Sequence, residues 1–158
     1  MSVQTSLNHP VAEALSTAVG KLIVNFGAVE YETYVWLACL QGSIENLPVG
    51  QFFKLRVDSL LAKLNQLEHQ DKGTAIALWK DAKIIAQFRN RIAHNPVFFS
   101  WSDPSEVGPP DFLTVLDMKG GFQEGYAKAM VSLAEINQHV NRTACLAQQL
   151  KALRAQIW

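Results

Sequence analysis

Arg89-Asn90-Arg91-Ile92-Ala93-His94-Asn95-Pro96 divides the chain into two regimes. Upstream, Ala75, Leu78, Ala82, Ile85, Arg89 and Ile92 follow the three- and four-residue spacing of one helical stripe, after a turn at Asp71-Lys72-Gly73. Pro96 lacks a backbone donor and disfavours helical geometry at Asn95, which predicts a helix stop at about His94. Downstream, Val97–Trp101 and Phe112–Leu116 are rich in aromatic and β-branched residues, with Pro104, Gly108, Pro109 and Pro110 between them. That pattern predicts a β-hairpin inserted at about residues 97–118. Two strands alone are marginally stable, so the hairpin needs helices or another chain against it.

Working outward, a long amphipathic helix is expected from Pro10 to the turn residues of Gly42–Gly50, with Val11, Leu15, Val19, Leu22, Phe26, Val29, Trp36 and Leu40 inward. Gly20 and Gly27 lie inside it, either as weak spots or as places where a partner helix approaches closely. A second helix is expected over about Gln51–Gln70, where Phe53, Val57, Leu60, Leu64 and Leu67 alternate spacings of four and three. A fourth is expected from about Glu124 to the C-terminus, with Met130, Leu133, Val140, Ala144, Ala147 and Leu150 inward. Four helices with short connections imply a mainly α fold: an antiparallel four-helix bundle, residues 1–158 forming one domain.

Composition narrows the function classes. In 158 residues, 14 Lys and Arg balance 14 Asp and Glu, so any nucleic-acid affinity must come from a local patch. Between positions 80 and 94, Lys80, Lys83, Arg89 and Arg91 outnumber Asp81. Cys39 and Cys145 are far apart in helical patterns, and His9, His69, His94 and His139 show no metal-ligand spacing. Reduced structural cysteines and no metal site are expected. No membrane-length apolar run and no leader pattern are present, so a cytoplasmic protein is expected.

At the helix end, Asn90 and His94 are one turn apart on one face, whereas Arg89 sits on the apolar stripe and Arg91 points away from it. The helix dipole favours a protonated His94, and Arg89 and Arg91 oppose it. An Arg on an apolar stripe needs a carboxylate partner, and Glu30 on the inward side of the first helix is the expected one, Glu32 being turned nearly opposite. His94 is equally suited to bonding the last carbonyls of its own helix.

An Arg, a polar residue beside it and a His five to seven positions after the Arg form the motif of the HEPN superfamily, which Arg89, Asn90 and His94 resemble. A bundle of four helices with the motif at the end of an interior helix is similar as well. The resemblance implies a homodimer whose two motifs line a shared cleft and, in many members, a metal-independent ribonuclease without a cofactor. Arg89, Asn90 and His94 would be its catalytic residues, Arg91 and Lys83 substrate contacts, and Glu30 the supporting ion pair. HEPN toxins paired with a nucleotidyltransferase antitoxin carry Tyr two residues after the His, where this chain has Pro96, so that partnership is not implied. The alternative from the same residues is a non-catalytic dimerisation module, with a structural motif and a hairpin that recruits a protein partner or ligand.

Overall fold

A proline at its start and a glycine just past its end bound the longest element, α1 (Pro10–Gln41), in the computed structural model, which describes residues 10–94, 97–100, 112–115 and 130–158. The end is a Schellman motif: Gly42 adopts φ +68°, its amide donates to the Cys39 carbonyl, and the Ser43 amide donates to the Ala38 carbonyl. Three further helices follow, α2 (Phe53–Leu64), α3 (Lys72–His94) and α4 (Leu133–Ile157). The protein is mainly helical, and no helix among the described residues is long and apolar enough to cross a membrane.

α2 is shorter than its periodicity predicts. The Asn65 amide still donates to the Leu61 carbonyl, but those of Gln66 and Leu67 reach back only three residues, to Lys63 and Leu64. That tightening ends the helix, and Leu67 packs as a half-buried side chain beyond it.

α4 likewise begins later than expected. Met130–Ser132 is a strand, β3, and Ser132 caps the helix after it by accepting a hydrogen bond from the Glu135 amide at 3.1 Å. Ser132-Leu133-Ala134-Glu135 has the residue types of a capping box, a start signal later than the Glu124 start expected from the apolar stripe beginning at Met130. Val97–Ser100 (β1) and Phe112–Val115 (β2) pair antiparallel, Val97 opposite Val115 and Ser100 opposite Phe112. β3 adds to β2, Leu113 opposite Val131, giving the order β1-β2-β3. The two strands expected are therefore joined by a third. Trp101, Leu116 and the proline-rich segment between them lie outside the described residues.

The elements contribute to two compact units. One takes α1 through Ile23, α3 from Phe88, the three strands and α4 through Val140. Its core is Leu15, Ala18, Leu22, Ile92, Val131, Ile136 and Val140, with Phe88 packed against it. The other takes Val24–Gln87 and Asn141–Trp158. Its core centres on Trp36, which meets Trp79 edge to face at 5.9 Å and donates its indole N–H to the Leu150 carbonyl at 3.3 Å. Trp36, Trp79, Val57, Leu60 and Leu64 are fully buried there.

Gly20 and Gly27 are exposed, and a Cβ built on either meets nothing within 4 Å. Among the described residues no helix packs against them. Tyr31 is 66% exposed.

α2 offers a direct test of which leucines carry stability. Leu60→Ala is expected to cost about 2–5 kcal/mol in urea unfolding, because Leu60 is fully buried, whereas Leu55→Ala should stay within about 0.5 kcal/mol, because Leu55 is 52% exposed. Equal losses would show that α2 is turned differently.

Candidate functional site

The last two turns of α3 present a buried side and an open side. Ile92 is 3% exposed and holds the helix on the core of the first unit, leaving Arg89 and Arg91 half-buried and Asn90 and His94 exposed. Arg89 Nη1 donates to Asn90 Oδ1 at 2.9 Å. Consecutive helical side chains diverge by about 100°, so this bond requires the long arginine to bend toward its neighbour. It fixes a guanidinium and an amide side by side. Guanidinium and amide N–H groups are the donor types that suit an anionic oxygen. One turn beyond Asn90 stands the exposed imidazole of His94.

Lys83 and Glu30, also expected at the site, have partners within the second unit. Lys83 Nζ donates to Asp58 Oδ1 of α2 at 2.6 Å, and this ammonium belongs to the second unit rather than to the motif's. Glu30, expected to neutralise Arg89, ion-pairs with Arg56 at 3.7 Å. The reason is positional: Arg56 lies on the buried stripe of α2, three residues after Phe53 and four before Leu60, and reaches α1 where Glu30 stands. Glu32, read as facing away from the core, is only 6% exposed and accepts from Arg154 Nε of α4 at 3.0 Å. Both sides of α1 are thus covered at this level, which a single inward stripe does not convey.

Sequence reasoning missed His139. Its ring stacks on Phe88, the residue before Arg89, with centroids 3.7 Å apart and planes 15° from parallel. The stack ties α4 to the turn of α3 that carries the Arg89–Asn90 pair. Burial pushes the imidazole below the ordinary 6.5, against a smaller upward pull from the Glu135 carboxylate one turn earlier. The available signal was spacing: His139 follows Ile136 by three residues and Glu135 by four, so it borders the buried side of α4.

Among the described residues no group of three His, Cys, Asp or Glu side chains is gathered as a metal-ligand set. Cys39 and Cys145 are free thiols, half-buried and exposed respectively. Comparison with protein-family models, with curated proteins and with solved structures finds no match.

The His139 stack makes the stability of the first unit depend on pH. The unfolded chain, whose imidazole titrates near 6.5, takes up a proton before the folded unit does. The His139 contribution is therefore constant above that value, is lost as pH falls through it, and levels off once the folded form is protonated too. Urea unfolding from about pH 5 to pH 7.5 is expected to show this slope flattened in His139→Gln, and identical slopes would assign it to other groups.

Proposed function

We propose that the chain is a HEPN-like ribonuclease: an antiparallel helical bundle with a hairpin between its third and fourth helices, acting as a cytoplasmic homodimer that cleaves RNA without a metal ion. The observation that carries the reading is the Arg89–Asn90 bond at 2.9 Å with exposed His94 one turn beyond it. Those three residue types supply what transesterification of RNA requires. His94 as a neutral imidazole accepts the proton of a ribose 2′-hydroxyl, and the freed oxygen attacks the adjacent phosphorus. The bond from phosphorus to the 5′-oxygen breaks, and the protonated His94 of the second copy returns a proton to that leaving oxygen. Arg89 and Asn90 donate to the phosphate oxygens, where negative charge accumulates in the transition state. The products are a 2′,3′-cyclic phosphate and a 5′-hydroxyl end, with atoms and protons balanced. Arg91 adds a cation beside the strand.

The motif is also compatible with RNA binding alone, and the test separates the two. Wild type, His94→Ala and Arg89→Ala are incubated with single-stranded and hairpin RNA in excess chelator. Cleavage by wild type is expected, reduced about 10²- to 10⁴-fold in His94→Ala, with RNA affinity retained. Equal product from all three proteins, or none from any, would remove the nuclease reading and leave the motif a structural or binding role.

A further inference from the structure

We propose that the Phe88–His139 stack is a latch that positions the Arg89–Asn90–His94 end of α3, and that a proton on the His139 imidazole opens it. What the latch would regulate rests on the ribonuclease reading; the latch itself does not.

A helix is held least firmly in its last turn, where four carbonyls lack intrahelical donors. Beyond Gln87, α3 enters the core of the first unit through two apolar side chains, buried Ile92 and half-buried Phe88, one turn apart on the same side. The aliphatic cluster around Ile92 has no group that titrates. Phe88 differs: its ring lies flat on that of His139 from α4, with centroids 3.7 Å apart and planes 15° from parallel. Arg89 and Asn90 are the next two residues, so a roll of Phe88 off the imidazole carries the 2.9 Å Arg89–Asn90 bond with it.

Imidazole is the side chain whose ordinary titration falls between about pH 5 and pH 8. When neutral it stacks as an aromatic ring; when charged it must give up water to stay in the same place. A cation over a phenyl face recovers part of that loss. The other charged or titratable groups on the described elements of this unit are Glu13 and Lys21 of α1, Arg89, Arg91 and His94 of α3, and Glu135 of α4. Of these, Glu135, one turn before His139, acts on the imidazole, and its upward pull is smaller than the downward effect of burial. The proton is therefore bound more readily once the rings have parted. His139 holds the end of α3 at full strength above the ordinary 6.5 and loses that hold as pH falls below it, until the stacked form is protonated as well.

Amide hydrogen exchange of the full chain from about pH 4.5 to pH 7.5, read as protection relative to the intrinsic rate at each pH, tests this without RNA. Protection of the amides of residues 89–94 is expected to be constant above about pH 6.5 and to fall below it by up to about tenfold per pH unit, the slope of one proton. Residues 79–85 of the same helix, in the second unit, are expected to show no such slope. His139→Phe keeps a flat ring without a titrating group and is expected to retain the protection and lose the slope. His139→Gln is expected to lose the slope and about threefold or more of the protection, and its slope decides the matter should His139→Phe fail to fold. A wild type without the slope overturns the proposal, as does a slope that survives substitution or extends equally over residues 79–85, or a folded His139→Phe no better protected than His139→Gln. Those results leave the ribonuclease reading standing, whereas a wild type that shows the slope and cleaves no RNA overturns the ribonuclease reading alone.

Discussion

A buried guanidinium organises the second unit. Arg56 projects from α2 toward α1 and is 5% exposed, so its charge is tolerable only with partners around it. Nε donates to Thr33 Oγ1 at 3.0 Å, Nη1 donates to the Gln51 carbonyl, and Nη2 faces Glu30. The plane lies 4.6 Å from the Tyr34 ring centre and 5.8 Å from that of Phe53. Thr33 is itself held, its hydroxyl donating to the Glu30 carbonyl at 2.6 Å. A planar fork with fixed donors accepts few arrangements, so the apolar stripe of α2 meets α1 in one register, and the loop that carries Gln51 is fastened with it.

The same logic recurs at lower intensity along the other seams of that unit. Lys83 of α3 meets Asp58 of α2, Arg142 of α4 meets Asp81 of α3, and Arg154 of α4 meets Glu32 of α1. Such pairs contribute modestly to stability where they are exposed. Their effect is on specificity: each joins a different pair of helices, and a helix rotated or shifted by one turn would part the pair. The first unit uses instead an apolar core, a stack of Phe88 on His139 and a serine cap at Ser132.

Which of these features the sequence discloses depends on whether one residue or two are needed to see them. The end of α3 at His94 and the stripe Phe53-Val57-Leu60-Leu64 are single-element signals, legible because backbone geometry and burial follow directly from residue type. Arg56 sits in the middle of that stripe and was passed over, because an arginine reads as solvated until its partners on α1 are known. Glu32 was misplaced for the same reason: its burial is created by Arg154, 122 positions away. Three residues of β3 are too few to establish an alternating pattern, and Met130 and Leu133 also fit the helical register. At the candidate site, the Arg89–Asn90–His94 grouping was legible because all three share one helix. His139 was not, since its significance comes from a ring on another element.

The aromatic arrangement of the second unit also determines what light can report about this protein. Three of the four tryptophans, Trp36, Trp79 and Trp158, lie in that unit, and Trp36 meets both others edge to face, Trp158 at 5.3 Å. Indoles so close and so nearly perpendicular couple their excited states, and their emission and near-ultraviolet dichroism change together when this cluster loosens. The α3 end bearing Arg89 and His94 contains no tryptophan, so intrinsic fluorescence is nearly blind to events there unless Trp101 reports them. To an optical instrument, the candidate site is dark and the scaffold of the second unit is bright.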